Sequence, residues 1–289
     1  MAGILACGSL LLPSAPQAKA VEGGFTPPAA TDMAQIWLKG VDGNPDQFAC
    51  SGVVTGVRWI LTAQHCFKFA PYYEFFVRVG STTLGQGGRY NVAGAKFRND
   101  LAVLETLPAD GHLPGYPYAK LAPNKKVPLR KQLDSYGWGK TCETCGPSPV
   151  LKGAHTKVID NEEGLKDSAG GPAYKVRALK ARLRQGDSGG PSGYWDGKVR
   201  VVTGVTSTSV VNGDNPSNAH MAQTYDDPLC AAQRNCVHDW LRQEARMEEY
   251  VPHDDLKLAS ILRDGPPTES VDRFRVLGWE RAGRVPECR

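Results

Sequence analysis

The sequence predicts an all-β fold, and three observations carry that prediction. Glycine and proline are dense, with 32 Gly and 21 Pro in 289 residues. The apolar runs between them are short and rich in Val, Ile, Leu and Phe, the pattern of strands bounded by turns. Apolar residues recur at helical spacing in a single stretch near the C-terminus. A composition that is 41% hydrophobic is that of a globular chain, long enough for two cores.

Strands are expected at 52–57, 59–62, 75–79, 101–104, 154–159 and 199–205. Asp196-Gly197, between Tyr194 and Val199, is a hairpin signal, because glycine accepts the positive φ of a tight turn. The segment 119–131 contains Pro and Lys and reads as a crossover between two units. Val237, Trp240, Leu241 and Ala245 predict one amphipathic helix over about 236–248. Beyond it, 249–289 carries mixed charges and Pro266-Pro267 and reads as an extension of unknown role.

The N-terminus predicts export. An apolar run at 4–12 is followed by Ala18-Lys19-Ala20, a small-x-small cleavage pattern, so 1–20 reads as a signal peptide and Val21 as the first mature residue. No Lys or Arg precedes the run, which leaves open a start upstream of Met1. An acylation box at Ile4-Leu5-Ala6-Cys7 would have too few residues ahead of its cysteine. The eight cysteines fit an oxidising compartment, extracellular or periplasmic. Cys142 and Cys145 form a Cys-x-x-Cys without a thioredoxin-like strand and helix, so a local disulfide is expected rather than a redox centre. Cys230 and Cys236 could close a short loop, and Cys288 is left over. The net charge of +4 is spread out and argues against a nucleic-acid surface. After the signal, no apolar run of about 20 residues offers a membrane span. No His-Glu-x-x-His pair or zinc-type Cys/His spacing is present, so neither a metal nor a cofactor is expected.

The chemistry concentrates in three motifs. In Gly186-Asp187-Ser188-Gly189-Gly190-Pro191 a serine stands among glycines that can turn backbone N–H groups toward one point. Alone, such a run could be an ordinary turn. Upstream lie Thr62-Ala63-Gln64-His65-Cys66 and Asn99-Asp100-Leu101-Ala102-Val103-Leu104. A serine hydroxyl is a poor nucleophile without a base, and an imidazole, which titrates near neutrality, can take its proton and return it.

These motifs, in the order His65, Asp100, Ser188, resemble those of the chymotrypsin/trypsin-like serine endopeptidases, from about Val21 to the helix near Trp240. The resemblance implies a peptidase domain over 21–248 with two six-stranded antiparallel Greek-key barrels, at about 32–118 and 132–235, and an active site in the cleft between them. By that family's own triad template, His65 is the base, Asp100 orients it and Ser188 attacks. The N–H groups of Gly186 and Ser188 form the oxyanion hole. Cys50 and Cys66 match the family bridge that braces the histidine loop. The strand ending in Ser207-Thr208-Ser209 matches the edge that pairs with substrate through Ser207 and Ser209. Ser207 should also touch Asp100. Val21-Glu22-Gly23-Gly24 is similar to the family's activating N-terminus, whose α-amino group would pair with Asp187. A protein or peptide is the expected substrate, a protein inhibitor a further candidate partner, and a monomer the expected state.

Four positions depart from the family, among them Thr208, which stands where a Trp is usual. Glu22 stands where an aliphatic residue is usual. Arg182 occupies the pocket position that is Asp in enzymes cutting after Lys or Arg, so a basic P1 side chain is not expected. Arg184 replaces a pocket-bracing cysteine. If Arg182 points inward, an acidic or small P1 residue would suit the pocket, with His220 as a possible helper; if outward, an apolar one. The competing reading is a catalytically silent homologue that binds proteins. A thiol-disulfide protein using Cys142 and Cys145 is a third.

Overall fold

The computed structural model describes residues 21–27, 30–210, 217–226, 230 and 236–250. The expected signal peptide at 1–20, Cys288 and nearly all of the 249–289 extension lie outside the described residues.

Two antiparallel barrels make up the fold. The first closes in the order β1 (Met33–Leu38), β2 (Gln47–Gly56), β3 (Trp59–Ala63), β6 (Leu101–Thr106), β5 (Gly88–Arg98) and β4 (Phe75–Val79), with β4 returning to pair with β1. Its interior holds Ile36, Val54, Ile60, Phe75, Val77 and Leu104. The second runs β11 (Pro191–Asp196), β8 (Gln132–Gly137), β9 (Lys152–Asp160), β10 (Ala173–Ala178), β13 (Asn218–Gln223) and β12 (Val199–Val210), closed by β12 pairing with β11. A short strand in the crossover, β7 (Lys120–Leu121), adds to β12 in parallel.

Five of the six expected strands lie within β3, β4, β6, β9 and β12, and the sixth, 52–57, overruns the end of β2 by one residue. The others escaped prediction for a physical reason. β5, for example, reads Gly-Arg-Tyr-Asn-Val-Ala-Gly-Ala-Lys-Phe-Arg and exposes much of its length, so it has little apolar signal of its own. The hairpin between β11 and β12 turns at Gly197, with φ of 58°.

α1 (Val237–Glu244) buries Val237, Trp240 and Leu241 on one stripe. It ends where Arg246 takes a left-handed φ of 52°. That stripe enters a cluster with Val53, Leu61 and Val103 of the first barrel and Val202, Val205 and Ala222 of the second. The helix therefore seals the seam between the barrels, and truncating Leu241 to Ala should cost on the order of 2–5 kcal/mol. A second tie is ionic. Arg200 of β12 donates to both oxygens of Asp32, at 2.6 and 3.2 Å, while packing on the rings of Tyr136 and Trp195. Both partners are buried, so the pair fixes the entry to β1 against the second barrel.

Candidate active site

His65 sits in a one-turn 3-10 helix that follows β3, with Cys66 beside it bonded to Cys50 on β2. Asp100 immediately precedes β6 and is fully buried. Because β3 pairs with β6, the two meet at one rim of the first barrel. His65 Nδ1 lies 3.0 and 2.9 Å from the two Asp100 carboxylate oxygens, and the His65 backbone N–H donates to Oδ1 at 2.9 Å. Ser207 Oγ donates to Oδ2. Burial pushes the Asp100 carboxyl up, but the imidazole, the Ser207 hydroxyl and the His65 amide outweigh it and hold it below the ordinary value. Asp100 therefore stays ionised, with its acceptor sites turned to the ring.

Ser188 comes from the second barrel, half-buried in the turn ahead of β11. Its carbonyl accepts from Ser51 N–H on β2 at 2.9 Å, and Gly189 N–H donates to Thr206 O at 2.8 Å, next to Ser207. The turn is thereby tied to the first barrel on one side and to the strand that contacts Asp100 on the other. Gly189 has φ of 75°, and a Cβ there would lie 2.1 Å from Thr62 Oγ1, so only glycine allows this approach. The amides of this turn divide into two sets. Those of Asp187, Gly189 and Gly190 donate to Arg184, Thr206 and Asp187 carbonyls. Those of Gly186 and Ser188 have no acceptor among the described residues. Gly186, with φ of 98°, is the residue that reverses the chain between them. No hydrogen bond joins Ser188 Oγ to His65 among the described residues. The Nδ1 side of the ring faces Asp100, and Nε2 has no partner among the described residues; such contacts commonly tighten only when substrate binds.

Asp187 is fully buried behind this turn. Its carboxylate accepts from Gly139 and Arg184 N–H, at 2.8 and 2.9 Å, and faces no cation among the described residues. Burial pushes it up to about 7, against the pull of those two amides. Val21 is also fully buried, its side chain in the core of the second barrel beside Leu183. With residues ahead of it, its nitrogen is a peptide amide, and no ion pair joins it to Asp187 among the described residues. Arg182 is mostly shielded from solvent, and its Nη1 donates to Glu22 Oε1 at 3.0 Å. His220 is likewise engaged, by the Lys166 carbonyl at 2.9 Å. From Ser207 onward, β12 keeps its pairing with β13 while its β11 pairing has ended at Val205, so Ser207 and Ser209 line an edge open on one side among the described residues.

Cys142 bonds to Cys145 and Cys230 to Cys236. Among the described residues, the two clusters of potential metal ligands, Cys50-His65-Cys66 and Asp226-Cys230-Cys236, each contain a disulfide, whose sulfurs are not thiolate ligands.

Two neighbours of the site were missed in the sequence. Ser51 Oγ donates to Gly186 O at 2.8 Å and accepts from Trp138 N–H, bracing the turn; nothing in the sequence distinguishes this serine from others on strands. The second is the loop between β9 and β10. Asp167, almost fully buried, accepts from Asp100, Ala169 and Gly171 N–H, and Ser168 places its Oγ 3.4 Å from His65 Nδ1 and donates its N–H to Ser207 Oγ. Burial, with a smaller contribution from the Asp100 charge, raises the Asp167 carboxyl despite those amides. The signal was present: Asp167-Ser168-Ala169-Gly170-Gly171-Pro172 echoes the motif around Ser188.

Residues 24–227 match the trypsin family model. Among curated proteins, trypsin 5G1 of Aedes aegypti is 27% identical over 204 residues, covering 63% of this chain and 74% of that protein. A trypsin of Sarcophaga bullata is 28% identical over 160 residues, covering 49% and 63%. With two closed six-stranded barrels and a family match across most of its length, the chain belongs to the trypsin family of serine proteases.

Proposed function

We propose that this chain is a secreted serine endopeptidase acting through an acyl-enzyme, with His65, Asp100 and Ser188 as its catalytic residues. Substrate lies along the open β12 edge, with main-chain hydrogen bonds at Ser207 and Ser209. Ser188 Oγ attacks the scissile carbonyl while His65 Nε2 takes its proton, and Asp100 stabilises the imidazolium. The carbonyl oxygen becomes an oxyanion held by the N–H groups of Gly186 and Ser188. His65 then gives its proton to the leaving amine, and water repeats the sequence on the ester. No cofactor takes part.

The observation that carries this reading is how the two barrels divide the parts. The first supplies an imidazole held by a buried, ionised Asp100. The second supplies two amides, at Gly186 and Ser188, with no acceptor among the described residues. The pairing of Arg182 with Glu22 further supports a P1 side chain without a positive charge, because no carboxylate is left over at that position to receive one. Release of the Val21 α-amino group would place an ammonium where Asp187 has no cationic partner, lowering the cost of its buried charge. The disulfides suit an oxidising compartment, and no helix of the described residues is long and apolar enough to cross a membrane.

Digestion of a peptide library by the chain beginning at Val21 tests the reading. The expected result is cleavage after neutral residues, absent in Ser188→Ala. Intact peptides with the wild type, together with stable binding of protein ligands, would favour the non-catalytic homologue. A dominant cut after Lys or Arg would overturn the pocket assignment.

A further inference from the structure

Three of the departures from the family pattern meet in one place. Glu22 Oε1 accepts from Arg182 Nη1 at 3.0 Å, and Glu22 Oε2 accepts from Arg184 Nε and Nη2 at 2.9 and 2.7 Å. The backbones pair as well, with Arg182 N–H donating to Glu22 O at 2.9 Å. Both arginine side chains are mostly shielded, at 13% and 14% exposure, so their charges are less screened than those of a surface pair. Arg184 also carries the contact forward: its N–H donates to Asp187 Oδ2, and its carbonyl accepts from Asp187 N–H at 3.0 Å. Asp187 lies between Gly186 and Ser188, the two residues whose amides are unspent. One continuous path therefore runs from the Glu22 carboxylate through Arg184 to the turn that presents those amides.

We propose that Glu22, Arg182 and Arg184 form an ionic latch that fixes the Gly186–Ser188 turn to the Val21-Glu22 segment, with an ion pair at position 184 where the family has a pocket-bracing cysteine. The inference rests on the peptidase reading only for its effect on catalysis; the ordering of the turn is independent of it. Glu22 and Arg184 are positioning residues and touch no substrate. A latch made of ions, unlike a disulfide, weakens as salt rises.

The test compares the chain beginning at Val21 with Glu22→Gln, Arg184→Gln, their double variant and Glu22→Asp. Amide hydrogen exchange over 182–190 is followed alongside the rate of reaction with a fluorophosphonate. Faster exchange in both single variants is expected, with the double variant no faster than the worse single. The fluorophosphonate rate should fall about tenfold, as for loss of one charge-assisted hydrogen bond, while Glu22→Asp recovers part of it. In concentrated NaCl the wild type should approach Glu22→Gln. Unchanged exchange in the single variants, or additive effects in the double, would overturn the latch. A wild type that shows the exchange differences but never reacts with fluorophosphonate would leave the latch standing and remove the peptidase reading.

Discussion

The two barrels present their halves of the site in physically different ways. On the first barrel, the Cys50–Cys66 bond and the β3–β6 pairing fix His65 and Asp100, and Asp100 is charged and saturated with donors. On the second, the Ser188 turn rests on hydrogen bonds to Ser51 and Thr206 and surrounds a buried Asp187 that faces no cation among the described residues. The His65 side is covalently braced and electrostatically complete; the Ser188 turn is neither. Control over activity is therefore expected to act through the second barrel, by way of Asp187 and the segment at Val21.

The predictions probe that contrast, beginning with the largest effect. Asp100→Asn should lower kcat by about 10^4-fold, the size that the family's own triad template carries, with the melting temperature little changed. A loss below tenfold would mean that the first-barrel half is not the base. Asp187→Asn in the chain beginning at Val21 should reduce kcat by on the order of 10^2- to 10^3-fold, as for loss of an oxyanion donor.

In a chain that retains residues ahead of Val21, Asp187 should instead govern stability. From its ordinary value of 3.8 up to about 7, the folded chain holds a proton that the unfolded chain has released. Stability therefore falls as pH rises through that window. Thermal melts from pH 4 to 8 should show the decline in the wild type and a flatter profile in Asp187→Asn. A docked ammonium at Val21 should flatten it too, and equal slopes with and without the preceding residues would count against that pairing.

Replacing Cys50 and Cys66 by Ser tests the covalent side. The loop closed is short, with a separation of 16 residues. Chain entropy assigns its loss about 3 kcal/mol, readable as a lower denaturant midpoint. Activity per folded molecule should fall less than in Asp187→Asn. The smallest effect is expected at Ser168→Ala, a few-fold loss in kcat/KM from looser placement of the ring.

Much of this was legible in the residues because it is local. Short Val- and Leu-rich runs mark the strands that fill the barrel interiors, and the helix stripe at Val237, Trp240 and Leu241 is read directly from its spacing. What escaped is what depends on distant partners. β5 and β11 are too polar or too glycine-rich to announce themselves, and become strands because their neighbours supply ladders. The fate of Arg182 could not be read either, since inward and outward were the alternatives and the structure gives a third, a carboxylate 160 residues away in sequence. Ser168 reaches the histidine, and Asp167 the Asp100 amide, only because the β9–β10 loop folds across Asn99 and Asp100, a contact with no trace in local periodicity.

The most direct test of the account is the site of covalent modification by a fluorophosphonate, mapped by mass spectrometry in the wild type and in His65→Ala. A single adduct on Ser188 in the wild type, absent without the imidazole, is the predicted result. An unmodified Ser188 in the correctly folded chain beginning at Val21, or an adduct that forms equally fast in His65→Ala, would contradict it.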